Sequence, residues 1–352
     1  MEYKFKYCPS PFQNVEIFQD GSVYLCCPSF NDYYSIGNIY KDNFEDIWNS
    51  DKAIELRSKV LNNDYSLCRS DRCLLLNNKV FSSNYDCKFE PVMKDSPIRV
   101  KFGYDYECNT ACIICRDEIK RLSDEELKIL DDKIDTFFIP LLKSTKVLTV
   151  NISGDPFGSR HSRKLIKRAV QVYPDLKFEF LTNGICCSKQ NFINLGLTAN
   201  KIDTIRVSIH AASAKTYGKV VKNGEKLFPS IIENLQFISE LKKESDFPFF
   251  LSFVVMSNNY KDMPKFVELA KKYNAIPVFW EYKKDCCAYA QYRENLSVID
   301  KTHKQHNDLV KILHHPNMYI FENSLYPKLL ELQNSKYEST FEKIKNKLFK
   351  KL

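Results

Sequence analysis

The chain has 352 residues, 13 of them Cys, is 44% apolar and carries a formal net charge of +8, enough for one large domain with an extension. Five Lys and one Glu in residues 341–352 account for +4 of that charge and leave +4 elsewhere, too mild a body charge for a nucleic-acid footprint. The start, Met1 to Phe12, lacks the apolar core of a signal peptide, and the longest strongly apolar stretch, Phe247 to Met256, is too short to span a bilayer, so the composition predicts a cytoplasmic protein with no transmembrane segment.

In chain order, Cys8 comes first. A hairpin is predicted over Val15–Phe18 and Val23–Cys26, turned at Asp20-Gly21, a favoured two-residue turn. Cys26 and Cys27 end it. Ile36-Gly37-Asn38-Ile39 follows, then a helix from Phe44 through Trp48 to Leu61, then Cys68, Cys73 and Cys87. A strand from Ile98 to Tyr106 runs into Cys108, Cys112 and Cys115, spaced C-x-x-x-C-x-x-C. Ser123 predicts an N-cap, with Glu126 completing a capping box. Further strands are read at Val147–Ile152, Leu176–Leu181, Asp203–Ile209, Phe249–Met256 and Ile276–Glu281. Helices separate them: a basic amphipathic one ending near Val172, then Pro229–Lys243 and Asp262–Tyr273.

Strands separated by helices predict a parallel sheet of βα units. Six such units make an α/β fold, a partial (β/α)6 TIM-like barrel, preceded by a small N-terminal cysteine-rich α+β extension. Barrels place their chemistry at the C-terminal strand ends. There lie Ser153-Gly154-Asp155-Pro156-Phe157-Gly158, Thr182-Asn183-Gly184, and Ser208 with His210. Three thiolates on one loop can hold three irons of a [4Fe–4S] cluster and leave the fourth open for chemistry. A zinc knuckle is the other reading of the bare triplet.

The cysteine spacing and the order of loops behind it resemble the radical S-adenosylmethionine (SAM) enzymes over roughly residues 97 to 282. The resemblance implies that Cys108, Cys112 and Cys115 hold a [4Fe–4S] cluster whose open iron chelates SAM. It implies that Gly154, Asp155 and Pro156 stand for the family's Gly-Gly-Glu-Pro loop at the SAM amino group, with Ser153 and Asp155 replacing the usual first Gly and Glu. Thr182 and Asn183 match the third-strand end. Ser208 and His210 match the fourth, where ribose or carboxylate is met. Val255, Met256 and Asn258 lie where adenine packs, and Ile114 takes a place that is often aromatic.

The N-terminal cysteines resemble the SPASM or twitch extension that carries auxiliary [4Fe–4S] clusters. The extension usually follows the barrel; here it precedes it, as in a subgroup found near glycosyltransferases. One auxiliary cluster on Cys8, Cys26, Cys68 and Cys73 is expected, with a structural zinc on the same four thiolates as the alternative and the parts of Cys27 and Cys87 open. The implied domains are 1–95 (auxiliary iron–sulfur), 96–285 (partial barrel) and 286–352 (helical closing segment).

Two vicinal pairs, Cys186-Cys187 and Cys286-Cys287, fall near the predicted rim. Cys187 and Cys286 are candidate hydrogen-atom donors to a substrate radical. Reduced, partly buried thiols are the plainer reading, and a reducing compartment argues against disulfides. His303, His306, His314 and His315 fall away from strand ends and are not expected to bind metal. The tail Phe341–Leu352 puts Ile344, Leu348, Phe349 and Leu352 on one helical face, to dock on the body or touch a partner or membrane surface.

The resemblance implies reductive SAM cleavage, abstraction of hydrogen from an unactivated C–H bond, and an electron donor such as flavodoxin or ferredoxin. The substrate expected is a carbohydrate or glycosylated small molecule, oxidised or epimerised; the alternative is a ribosomal peptide or protein. The segment before the barrel is cysteine-rich and leaves no room for a leader-binding winged helix.

Overall fold

Asp20 and Gly21 turn the first hairpin as expected. Gly21 has φ of 80°, and the Asp20 carboxylate accepts from the Ser22 amide at 3.0 Å and the Ser22 hydroxyl at 2.9 Å. The flanking strands are β2 (Asn14–Ile17) and β3 (Ser22–Tyr24), after a short β1 (Tyr3–Phe5) and before β4 (Gly37–Asn38). This is a computed structural model, and it describes residues 2–73, 75–76, 81–282, 293–319 and 327–334. The chain forms two units, the first of residues 1–109, 119–205 and 240–247, the second of residues 110–118, 206–239 and 248–352.

The first unit holds β1 to β4, β5 (Phe81–Ser83), β6 (Arg99–Phe102), β7 (Val147–Val150) and β8 (Lys177–Thr182). Its main sheet runs β8-β7-β6-β2-β3-β4. Strands β6, β7 and β8 pair in parallel, as the βα alternation predicts. Strand β2 also pairs in parallel with β6, Asn14 opposite Arg99 through Ile17 opposite Phe102. The expected boundary at residue 95 therefore falls inside the first unit. A two-strand hairpin is marginal alone. Val15 and Ile17 are fully buried, and the pairing with β6 gives their strand a second neighbour.

All four residues of β7 are buried, as both-sided cover of a parallel strand requires. The helix Asp124–Lys133 opens with the predicted capping box: Ser123 Oγ accepts from the Glu126 amide at 3.1 Å, and the Glu126 carboxylate accepts from the Ser123 amide at 2.7 Å. One π-helical turn, Ile134–Phe138, follows. It brings Phe138 against Tyr104, rings stacked at 4.5 Å. The helix Arg160–Val172 buries His161, Leu165, Ile166 and Ala169. His161 bridges Tyr104 Oη at 2.9 Å and the Asp131 carboxylate at 2.8 Å, tying strand end to helix.

The helix Asp51–Leu61 is capped by Ser50 and buries Leu56, Arg57 and Val60. Arg57 stacks over Trp48 at 4.2 Å and donates to the carbonyls of Pro11 at 2.9 Å and Pro91 at 3.1 Å. Burial lowers its guanidinium to about 10.

Strand β9 (Ile202–Ser208) begins in the first unit and ends in the second. In the second unit β10 (Phe249–Val255) pairs in parallel with β11 (Ile276–Glu281). Phe253, Phe266 and Phe279 pack behind them with centroids 4.9 to 5.7 Å apart. Among the described residues no helix is long and apolar enough to cross a membrane. The tail Phe341–Leu352 lies outside the described residues, as does much of the expected closing segment.

Candidate metal centres and their loops

Cys8, Cys26, Cys68 and Cys73 line one cavity with Leu56, Val60, Tyr65 and Phe81. Its empty space is about 430 Å³, counting the mouth. Leu56 and Val60 come from the Asp51–Leu61 helix; Cys26 ends the hairpin and Cys8 precedes it. Burial pushes the thiols of Cys8 and Cys26 up, and Cys68 to about 12; thiolates nearby add to the rise. Among the described residues no basic side chain lines the cavity. Thiols raised in this way are the ones whose ionisation metal charge would compensate, as in metal–thiolate sites. Cys27 and Cys87 are not among the residues that line this cavity. Cys27 Sγ meets Ser29 Oγ at 3.2 Å, and Cys87 lines a different cavity beside Lys88, Lys94 and Lys143. Among the described residues no three His, Cys, Asp or Glu side chains stand, as they lie, where together they could hold a metal ion.

The triplet loop is divided between the units. In the first, Cys108 is 8% exposed and its amide donates to the Lys120 carbonyl at 3.2 Å. In the second, the amides of Cys115 and Arg116 donate to the Cys112 carbonyl at 2.9 and 2.8 Å, a helical turn. Bonds from Ile113 to the Val220 carbonyl and from Lys222 to the Ala111 carbonyl, both 3.0 Å, hold that turn.

Behind Cys108 the loops interlock through Glu107 and Asp155. The Glu107 carbonyl accepts from the Asp155 amide at 2.9 Å. Its buried carboxylate accepts from the Arg160 amide at 2.7 Å and pairs with the Arg160 guanidinium at 2.9 Å. One oxygen of Asp155 accepts from the amides of Phe157 and Gly158 at 3.1 and 2.8 Å. The other accepts from Thr182 Oγ1 and the Asn183 amide, both at 2.8 Å. Asp155 is fully buried. Desolvation raises its carboxyl above the usual range while the four donors pull it down. This acid, expected at a cofactor amine, joins the loops after β7 and β8 through these bonds. Pro156 is buried as well, whereas Gly154 is half-buried. Asn183 turns toward Cys108 and Asn109.

In the second unit Ser208 is half-buried at the end of β9, and Val255 is fully buried. Asn258 donates to the Lys219 carbonyl at 3.0 Å. His210 is buried at φ of 59°, and its Nδ1 accepts from the Val254 amide at 3.0 Å. A ligand can reach this ring only at Nε2. Asn259, which the sequence reading passed over, holds the same turn by donating to the carbonyls of His210 and Val254 at 2.9 Å each.

Burial lowers His210 to about 4. The folded ring is thus harder to protonate than the unfolded one, near 6.5. The stability that neutrality gives is complete above about pH 6.5 and is lost as pH falls toward 4, about 3 kcal/mol in all. Urea titrations between pH 7 and 4.5 should show this slope, and His210→Asn, which tolerates positive φ, should flatten it. An unchanged slope in that variant would remove His210 as the cause.

Cys187, a candidate hydrogen-atom donor, is fully buried. In a loop of two adjacent thiols only one faces outward, and here it is Cys186, half-buried, whose sulfur accepts from Asn109 Nδ2 at 3.2 Å. Cys286 lies outside the described residues. His303, His306 and His314 each engage a backbone carbonyl. Asn109 and Glu107, which flank Cys108, were also passed over in the sequence; adjacency to the cysteine was the available signal.

Residues 8–74 match the family model of SPASM, described as an iron–sulfur cluster-binding domain. The chain thus carries an N-terminal segment of iron–sulfur cluster-binding type, and four thiols around one cavity fit that donor chemistry. No curated protein matches the chain. Among solved structures it is similar to Streptococcus suis SuiB bound to precursor peptide SuiA, at 14% identity over 85% of this chain and 70% of that one, TM-score 0.43. SuiB bound to S-adenosylmethionine matches at 14% identity over 70% and 55%, TM-score 0.42. Native anSMEcpe with bound AdoMet matches at 15% identity over 64% and 61%, TM-score 0.41. The chain spans little more than half the length of the last two.

Proposed function

We propose that this chain is a radical SAM enzyme with an auxiliary [4Fe–4S] cluster. The observation that carries the reading is the C-x-x-x-C-x-x-C loop beyond the end of β6, on a chain whose residues 8–74 match an iron–sulfur domain. Cys108, Cys112 and Cys115 hold the first cluster; Cys8, Cys26, Cys68 and Cys73 hold the second. The alternation of strands and helices supports the partial barrel such enzymes share. Held by those three cysteines, the first cluster would supply the electron for reductive cleavage of SAM, and with it the chemistry of hydrogen abstraction from an unactivated C–H bond.

The chain's own residues set the frame for that chemistry. Glu107 and Asp155 lock the loops at the ends of β6, β7 and β8 to one another. The Ser153-Gly154 turn that Asp155 holds in place meets the SAM amine through its backbone carbonyls. Ser208, His210, Val255 and Asn258 serve the rest of SAM. The substrate is a carbohydrate or glycosylated small molecule and the outcome is oxidation, with a ribosomal peptide as the second reading. The burial of Cys187 supports oxidation over epimerisation. The setting is reducing and cytoplasmic, with flavodoxin or ferredoxin as electron donor.

Anaerobic protein given SAM and dithionite should yield 5′-deoxyadenosine and should hold about eight irons, four per cube. About four irons with zinc present would favour a zinc site on the N-terminal thiols. No 5′-deoxyadenosine from iron-replete protein would overturn the reading.

A further inference from the structure

We propose that Asn183 is a positioning residue that sets the reduction potential of the cluster bound at Cys108, by donating an N–H···S hydrogen bond to the Cys108 sulfur. The inference rests on the reading of Cys108 as a cluster ligand.

The Asn183 side-chain nitrogen lies 3.8 Å from Cys108 Sγ and 2.7 Å from Asn109 Oδ1. An amide nitrogen carries two hydrogens, one for each acceptor. The orientation of the amide follows from its other end, because Asn183 Oδ1 accepts from the Ile185 amide at 3.0 Å. A flipped amide would set its NH2 group against that N–H and its oxygen against Asn109 Oδ1. The backbone is fixed too, since the Asn183 amide donates to Asp155 at 2.8 Å. Asn109 is fixed in turn. It donates to Cys186 Sγ at 3.2 Å, and it packs so closely on Gly158 that a Cβ there would stand 2.9 Å from its Oδ1. Asp155, Asn183 and Asn109 therefore form a braced line ending at the Cys108 sulfur.

The chemistry follows from charge. Reduction adds one electron to a cluster and its thiolates, so the reduced form is the better hydrogen-bond acceptor. A donor fixed at a ligand sulfur stabilises that form and raises the potential; second-shell donors tune metal sites in this way. Removing the Asn183 donor should make the cluster harder to reduce without removing a ligand.

The test is an EPR-monitored potentiometric titration of the reconstituted full chain, in which dithionite supplies one electron through mediators and no bond forms or breaks. Asn183→Leu keeps the volume and loses the donor. Asn183→Asp keeps the shape and puts an anion there. Both should shift the Cys108 cluster to a more negative midpoint, Asp further than Leu, with the auxiliary cluster unmoved as an internal reference. An unmoved midpoint at full iron content, or an equal shift of both clusters, would overturn the proposal. Labelling the unaltered protein with 15N-asparagine gives an arm independent of variant folding: pulsed EPR of the SAM-free reduced cluster should show a coupled nitrogen, and its absence would also overturn the proposal. A wild-type protein with no [4Fe–4S] signal beyond the auxiliary one would instead defeat the reading of Cys108 as a ligand.

Discussion

Changing Cys108, Cys112 and Cys115 together to Ala should strip about four of roughly eight irons and bring 5′-deoxyadenosine formation to background. The effect is the largest expected because thiolate ligation alone anchors such a cluster, and no neighbouring side chain can replace three sulfurs at once. Cys186, half-buried beside Asn109, is a single thiol. The loop itself should survive. Its amides bond to the carbonyls of Lys120, Cys112 and Val220, which are backbone groups the substitutions leave in place. The four remaining irons should stay with the thiols lining the N-terminal cavity. Iron quantification and chromatography of the SAM cleavage product measure both effects. A triple variant that still formed 5′-deoxyadenosine would mean the triplet is not the reactive site, whatever else the chain binds.

Much of this arrangement was legible because local rules decide it. Asp20-Gly21 gives the hairpin, Ser123 with Glu126 gives a helix start, and apolar runs bounded by polar loops give the strands. What stayed hidden depends on long-range pairing and on side-chain direction. The parallel pairing of β2 with β6 joins residues more than eighty positions apart, and nothing local to either strand specifies it. Asp155, Asn183 and His210 were placed correctly at strand ends, yet a position does not say which way a side chain points. Asp155 meets four donors inside the fold, Asn183 meets Cys108 and Asn109, and His210 meets the Val254 amide. Cys186 and Cys187 are alike in sequence and opposite in burial, because the loop after β8 turns one inward.

Gly154→Ala should be the most damaging single substitution in these loops. The φ of Gly154 is not positive, so the reason is space alone. A Cβ there would stand 2.1 Å from the Glu107 carbonyl oxygen and 2.8 Å from Asn151 Oδ1. The first neighbour is backbone and cannot swing aside. It is also the acceptor for the Asp155 amide, and it lies one residue before Cys108. The new methyl must therefore push apart the strand ends that Asp155 and Glu107 join, and Cys108 moves with them. Overpacking costs about 1–3 kcal/mol where side chains can yield; against backbone the upper end, about 3 kcal/mol, is expected, with a Tm lower by roughly 5–10 °C. Iron content should fall toward the four atoms of the auxiliary site. Gly196→Ala is the contrast. That glycine caps a helix at φ of 71° and its Cβ would meet only Val170, at 3.3 Å, so about 1 kcal/mol is lost and iron is kept. Thermal melts and iron assays of the two variants side by side decide the matter. If Gly154→Ala melts no lower than Gly196→Ala and keeps all its iron, the contact between the Gly154 loop and Glu107 does not hold Cys108 in place.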